Sequence, residues 1–161
     1  MALPPEGNAA SPPQQAFRIA RRPYADLSGE GARLVGGRWN SPGRAALYLA
    51  ESRALAILET LVHLDLDRNV MPPDYVILEV DLSTLAGARE WLEEGPAVAP
   101  SDTECRTVGD AFLAAKRALA LRVPSIIVPH ASNHVFNPAH PLSGRLRIKS
   151  IEPFVFDRRL L

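Results

Sequence analysis

The sequence predicts a mixed α+β fold in a single domain, and three observations predict it. The chain has 161 residues, a length that one domain with a sizeable core accommodates. Short runs rich in β-branched and aromatic residues are interleaved with helical patterns. That succession is irregular, which argues against the repeated βαβ units of a doubly wound sheet. No internal repeat and no sustained heptad pattern is present.

Taken in order, Met1–Gln15 carries Pro4, Pro5, Pro12 and Pro13 among small polar residues. It reads as a disordered or extended arm, with the folded domain over 16–161. Ala16–Arg21 is a short strand, and a glycine-rich loop follows. Arg44–Ala50 reads as a strand entered from the Ser41-Pro42-Gly43 turn. Ser52 is placed to cap a helix over Arg53–Leu64. Tyr75–Asp81 is the clearest strand, and Leu92–Pro100 reads as loop. Val108–Leu121, rich in Ala and Leu, predicts an amphipathic helix. Ser125–Pro129 predicts a buried strand bounded by Pro124 and Pro129. His130–Gly144, with its Asn, His, Pro and Gly residues, reads as a functional loop. Leu146–Ile151 and Pro153–Phe156 give two short terminal strands.

Composition narrows the function classes. The formal net charge is zero, whereas nucleic-acid binders usually carry a basic excess or stripe, so direct nucleic-acid contact is not expected. The basic residues are lopsided, 16 Arg against Lys116 and Lys149, which supplies many planar, phosphate-matching groups. Cys105 is the only cysteine, so no internal disulfide can form, which fits a reducing cytoplasm. Met1–Gln15 lacks the apolar run of a signal peptide, and no stretch approaches the ~18 apolar residues of a membrane helix. A soluble cytoplasmic protein is expected.

Leu27–Asn40 is the most informative segment. It holds four glycines, Glu30, Arg33, Arg38 and Trp39. Glycine lets backbone approach a ligand closely, arginine grips phosphate in a planar fork, and tryptophan offers a flat face for stacking or packing. A loop for a phosphorylated, ring-bearing ligand and a turn-rich connector with solvated arginines both fit this composition.

Other side chains carry similar alternatives. Glu59 lies four residues after Leu55 and three before Val62, so it borders the apolar face of its helix. A carboxylate there is costly unless paired or used. It is either a ligand-binding or catalytic group, or a buried glutamate satisfied by an arginine such as Arg38. Tyr48 alternates with Leu47 and Leu49, which makes its ring a core element with the hydroxyl at a cleft edge. Arg18 alternates with Phe17 and faces either a cleft or solvent. Ser125 opens its strand after Pro124, without the Gly-x-Ser-x-Gly elbow of a hydrolase; it is a structural serine or a ligand contact. His130 and His134 have helical metal-ligand spacing but sit between Pro129 and Pro138, with no Cys or carboxylate cluster, so no metal site is expected. Asn133 and Asn137 suit backbone hydrogen bonds that lock the loop.

A Gly-Gly-Arg-Trp-Asn loop, a strand tyrosine, a helix glutamate and a Val-Pro-Ser segment, in that order, resemble the RES-domain family, the toxins of bacterial RES–Xre toxin–antitoxin pairs. The resemblance runs from Phe17-Arg18-Ile19 to about Arg158. It includes Leu27–Asn40, Tyr48-Leu49-Ala50, Glu59, Val108-Gly109-Asp110, Val123-Pro124-Ser125 and Asn133 through Asn137-Pro138-Ala139-His140-Pro141. It implies a fold like that of the ADP-ribosyltransferases, with a central split β-sheet and flanking helices. The arginine, glutamate and serine that name the family correspond to Arg38, Glu59 and Ser125, with Ser132 and the Ser101–Thr103 loop as other sources of the hydroxyl. Glu59, Arg38 and Tyr48 are the implied catalytic residues, and Arg18, Arg38, Trp39, Asn40, Tyr48, Ser125 and Asn133 the implied binding residues.

The implied substrate is NAD⁺. Breaking its nicotinamide–ribose bond builds positive charge on the ribose, as in glycoside hydrolysis. An ionised Glu59, helped by a nearby arginine, would stabilise that charge. Arg38 and Arg18 would hold the pyrophosphate, and nicotinamide would stack on Tyr48 or Trp39. Nicotinamide leaves as a neutral molecule, so positioning and electrostatics carry the reaction and no metal is called for. The ADP-ribose acceptor would be a host protein, making a mono-ADP-ribosyltransferase, or water or phosphate, making a glycohydrolase or phosphorylase. The implied partner is an Xre-type antitoxin. A non-catalytic nucleotide-binding module, with Glu59 purely structural, is the reading from another class.

Overall fold

The computed structural model describes residues 11–64 and 74–161. Most of the expected N-terminal arm, residues 1–10, lies outside the described residues. Among these residues seven strands form one mixed sheet: β1 (Gln15–Arg21), β2 (Leu47–Ala50), β3 (Tyr75–Asp81), β4 (Leu92–Glu94), β5 (Ala120–Pro124), β6 (Ser132–Phe136) and β7 (Arg147–Phe154). Their order is β4-β5-β6-β2-β1-β3-β7. Only β4 and β5 run parallel; every other neighbour pair is antiparallel. Among the described residues three α-helices accompany the sheet: α1 (Glu30–Val35), α2 (Arg53–Leu61) and α3 (Asp102–Ala115).

The sheet is split where the resemblance implied a split. β1 and β2 are joined by a single residue pair, Phe17↔Ala50. On either side the ladders are long: β1 pairs with β3 from Gln15↔Asp81 to Arg21↔Tyr75, and β2 pairs with β6 from Leu47↔Phe136 to Ala50↔Asn133. Two half-sheets therefore diverge from one point of contact.

Strand alternation sorts the core. Phe17, Ile19, Ala50 and Ile77 point to one face, where Leu55 and Ala56 of α2 cover them. On the same side of the other half-sheet, Leu121, Val123 and Val135 pack with Cys105, Phe112 and Leu113 of α3. The opposite face buries Ala16, Leu47, Leu49, Val80, Ala120 and Phe136 beneath Leu82, Leu85, Trp91 and Leu146. Each such large apolar side chain contributes roughly 1.5–3 kcal/mol on burial. On the helix-covered face the two half-sheets have separate apolar clusters, and on the opposite face one cluster spans both.

Tyr75–Asp81 and the Ser52 cap form as predicted, the Ser52 hydroxyl accepting from Leu55 N at 3.1 Å. α2 ends at Leu61 rather than Leu64, because His63 N and Leu64 N turn to the tighter acceptors Thr60 O and Leu61 O. α3 begins and ends earlier than predicted. Ser101 and Glu104 form a reciprocal capping box at its start, and Lys116 takes a left-handed conformation (φ 53°) at its end. The Ala-Leu run beyond it, Ala120–Pro124, pairs with β6 as a buried strand. Ser125–Pro129 is accordingly not the strand, and Ile126 stands exposed. Leu92–Glu94, read as loop, is the parallel edge strand β4. β6 lies inside the segment read as loop. The two terminal strands are one, β7, whose Pro153 is tolerated because β7 is a sheet edge. The second predicted strand starts at Leu47, not Arg44. No helix among the described residues is long and apolar enough to cross a membrane.

Candidate functional site

A cleft of about 580 Å³ opens where the half-sheets diverge. Arg18 of β1, Gly36–Trp39 of the glycine loop, Tyr48 of β2, Glu59 of α2 and Asn133 of β6 all line it. The divergence at Phe17↔Ala50 creates the opening, and α2 spans it.

The glycine loop folds around one asparagine. Asn40 is fully buried. Its Nδ2 donates to Ala32 O (2.9 Å), Arg44 O (2.9 Å) and Ser41 O (3.2 Å). Its Oδ1 accepts from the Tyr48 hydroxyl at 2.7 Å, and that hydroxyl accepts from Trp39 N at 3.0 Å. Gly37 is required at the closing turn, since a Cβ there would stand 2.7 Å from the Tyr48 hydroxyl oxygen and 2.8 Å from Asn40 Oδ1. Burial pushes the Tyr48 phenol well above its ordinary value, so it stays a neutral donor. The loop also contains a short helix, α1, that its glycines did not advertise.

These contacts revise three expectations. Asn40 is a brace for the loop, with its polar atoms spent on backbone and on Tyr48, and it does not line the cleft. Trp39 borders the cleft but is 2% exposed, its ring packed in the α3 cluster, so it offers no stacking face for nicotinamide. Tyr48 keeps its ring at the cleft wall while its hydroxyl is turned to the loop.

α3 supports the same loop from behind. A Cβ on Gly109 would run into the Trp39 carbonyl oxygen, so helix and loop backbones touch directly. Asp110 accepts from Ser41 N (2.9 Å) and Ser41 Oγ (2.6 Å). Arg38, on the cleft side, pairs through Nη1 with Asp102 in the first turn of α3. Arg18 donates from Nη1 to Tyr24 O (3.1 Å) and Asp26 O (2.7 Å), bracing the approach to the loop. Its burial lowers the guanidinium pKa, and Asp26 partly offsets that.

Glu59 is half-buried at the cleft wall. Its Oε1 accepts from Ser125 Oγ at 2.7 Å and from Asn133 Nδ2 at 2.6 Å. The carboxylate is therefore held by two neutral donors rather than by an arginine; Arg38 is engaged with Asp102 instead. Among the described residues Oε2 accepts no hydrogen bond. Ser125 itself is fixed, because its Oγ accepts from Ile127 N (3.2 Å) and Val128 N (3.1 Å). Of the three sources of a hydroxyl, Ser125 is the one that meets Glu59: Ser132 donates its N–H to Glu51, and Ser101 caps α3. Asn133, expected to bind loop backbone, serves Glu59 from within a strand; Asn137 does bind backbone, donating to Leu113 O and accepting from Ala139 N. Thr60, His63 and Ile126 also line the cleft and were not singled out from sequence. The spacing of His63, one helical turn beyond Glu59, is the signal that could have found it.

His130 and His134 do not form a pair of ligands: His130 is exposed, and His134 is 3% exposed in an apolar surround. No group of three or more His, Cys, Asp or Glu suited to a metal occurs among the described residues.

The class of domain is a mixed α+β fold whose split sheet gathers a carboxylate, two arginines and a tyrosine at its opening. The sequence comparison is more specific: the RES domain profile matches residues 15–157, and the chain belongs to the RES domain family. It is 40% identical over 139 residues to "Toxin Res" of Pseudomonas putida, covering 85% of this chain and 94% of that one. It is 36% identical over 144 residues to the "Prs ADP-ribosylating toxin" of Sphingobium sp., covering 84% and 87%. In structure it is similar to a chain of the M. tuberculosis MbcT–MbcA toxin–antitoxin complex, with a TM-score of 0.68 at 20% identity, covering 93% of this chain and 87% of that one. That likeness establishes the shared fold.

Proposed function

We propose that this protein is the toxin of a toxin–antitoxin pair and that it consumes NAD⁺, cleaving the nicotinamide–ribose bond and transferring ADP-ribose to a protein. One observation carries the reading. Glu59 is fixed by Ser125 and Asn133 in a cleft that also presents Arg38 and Tyr48. A relative whose name describes ADP-ribosylation supports it.

The chemistry follows from the arrangement. The C–N bond between ribose C1′ and nicotinamide breaks, its electron pair leaves with nicotinamide, and the pyridinium charge is neutralised. Positive charge develops on the ribose, where the fixed Glu59 carboxylate stabilises it without having to reorganise. Arg38 and Arg18 match the pyrophosphate, and the Tyr48 ring is the aromatic face left for nicotinamide. The acceptor forms the new bond to C1′ and loses its proton. An antitoxin of Xre type is the partner in this reading, supported by the toxin–antitoxin setting of the structural relative, and the action is cytoplasmic, where NAD⁺ is met.

The test is nicotinamide release from NAD⁺ by the purified protein, with mass spectrometry of the products. The expected result is nicotinamide release with ADP-ribose appearing on a protein of added cell lysate. Free ADP-ribose would make the protein a glycohydrolase, and ADP-ribose phosphate a phosphorylase. No release with lysate and phosphate supplied would overturn the enzymatic reading and leave a nucleotide-binding module.

A further inference from the structure

α2 spans the split, and it is fastened by polar contacts on both sides. On one side Glu59 meets Ser125 beyond β5 and Asn133 of β6. On the other, Arg53 in the first turn of α2 reaches Glu79 of β3, Nη2 to Oε2, at 2.6 Å, and lies 3.7 Å from Glu152 of β7. The Arg53 guanidinium also sits over the Phe17 ring, 5.1 Å from its centre. Phe17 is the residue of β1 that makes the single pair to β2.

Glu79 is unusual for a charged residue, being 8% exposed on β3, a strand paired on both sides. Lys149 of β7 donates to its Oε1 at 2.9 Å, so each carboxylate oxygen has its own cation. That second cation, with Arg53, holds the Glu79 carboxyl below the usual carboxylate range. The Glu79 carboxylate is thus a charge-assisted acceptor for Arg53. Among the described residues the half-sheets share one backbone pair, and one apolar cluster spans both on the face away from α2. On the cleft face, α2 with its two sets of anchors makes the cross-split connection.

We propose that Glu79, acting through Arg53, is a positioning device for Glu59: it fixes where α2 lies across the split and thereby where the Glu59 carboxylate stands in the cleft. The proposal rests on the catalytic role given to Glu59. Among the described residues Lys149 pairs with Glu79 and with no residue of α2, so it neutralises charge without positioning the helix.

The experiment compares Arg53→Gln, Glu79→Gln and Lys149→Gln in the full chain, measuring kcat and KM for NAD⁺ and amide hydrogen exchange over Leu58–Leu61. Arg53→Gln and Glu79→Gln should each lower kcat by at least about tenfold, the scale of a slight misplacement of a catalytic group. KM should change less than about threefold, and exchange at Leu58–Leu61 should quicken. Lys149→Gln should keep kcat within about twofold. On a Glu59→Gln background, Arg53→Gln should lower the residual kcat no further, because both changes act on one group. An unchanged kcat in Arg53→Gln, an equal loss in Lys149→Gln, or full additivity with Glu59→Gln would overturn the proposal. If the unaltered protein releases no nicotinamide, the functional reading fails by itself, and exchange at Leu58–Leu61 still decides whether Arg53 fastens α2.

Discussion

Ser125 and Glu59, 66 residues apart in the chain, meet through a 2.7 Å hydrogen bond from the serine hydroxyl to carboxylate Oε1. Asn133 donates to the same oxygen from the neighbouring strand. Both donors are neutral, so they orient the carboxylate without cancelling its charge. A glutamine at 59 retains an amide oxygen for both donors and loses only the charge. Glu59→Gln should therefore melt within a few degrees of the unaltered protein while nicotinamide release falls at least ~10²-fold, the low end for removing one electrostatic catalytic group. Near-normal turnover in that folded variant would remove Glu59 from the chemistry. Ser125→Ala keeps the charge and loses one of its two holders, so its loss should be smaller than that of Glu59→Gln.

Arg38 shares its charge between the cleft and Asp102. The pair is partly exposed, with side chains 28% and 67% accessible, and such ion pairs contribute ~0–1 kcal/mol. Arg38→Ala should hardly move the melting temperature and should chiefly raise the dissociation constant for NAD⁺, by ~10-fold or more for a lost charge-assisted phosphate contact. Asp102→Asn, which keeps the guanidinium, should bind NAD⁺ at least as well as the unaltered protein. Calorimetry of both variants checks this, and unchanged affinity in Arg38→Ala would assign the arginine to structure alone.

The sequence was most readable where one local rule acted alone. Tyr75–Asp81 is a β-rich run with turn signals at its ends, and Ser52 is an N-cap with nothing competing for it; both formed as read. Reading failed where helix propensity met tertiary pairing. Ala and Leu at 118–121 favour helix in isolation, but Lys116 turns the chain and β6 captures the segment in the sheet. β4 was invisible because its three residues become a strand only through parallel pairing with β5. The site showed the same division. Arg18, Arg38, Tyr48, Glu59 and Asn133 could be named from their types and order, and they line one cleft. That Asn40 would spend its side chain on the loop, and that Trp39 would be buried beneath α3, depends on contacts between segments far apart in sequence.

The contact between α3 and the glycine loop leaves no room for a side chain at position 109. A Cβ on Gly109 would overlap the Trp39 carbonyl oxygen, and both neighbours are backbone that cannot swing aside. Gly109→Ala should cost at least about 3 kcal/mol, the upper range for overpacking a core, and should lower activity by displacing Arg38 and Trp39. Gly31 in α1 is the contrasting case, because nothing lies within 4 Å of its added Cβ. Gly31→Ala should match or exceed the melting temperature of the unaltered protein, since alanine is favoured over glycine in a helix by ~0.5–1 kcal/mol. Thermal melts of the two variants side by side test this reading of the loop, and equal effects would refute it.

His134 is a core residue whose polarity works against the fold. It is 3% exposed, it lies near the Trp91 and Phe136 rings, and neither of its nitrogens has a hydrogen-bond partner among the described residues. Burial, with Arg122 adding to it, lowers its pKa from an ordinary 6.5 to about 4. The unfolded chain takes up this proton below 6.5, whereas the folded protein resists it until about 4. The contribution of neutral His134 to stability is thus complete above pH 6.5, shrinks as the pH falls from 6.5 to about 4, and changes no further below that. Over that window the loss amounts to about 3 kcal/mol. His134→Leu removes both the titration and the unpartnered nitrogens. It should unfold at higher urea than the unaltered protein at pH 5, and the gap between the two should narrow toward pH 7.5. A gap that stayed constant across that range would show that His134 does not titrate with folding.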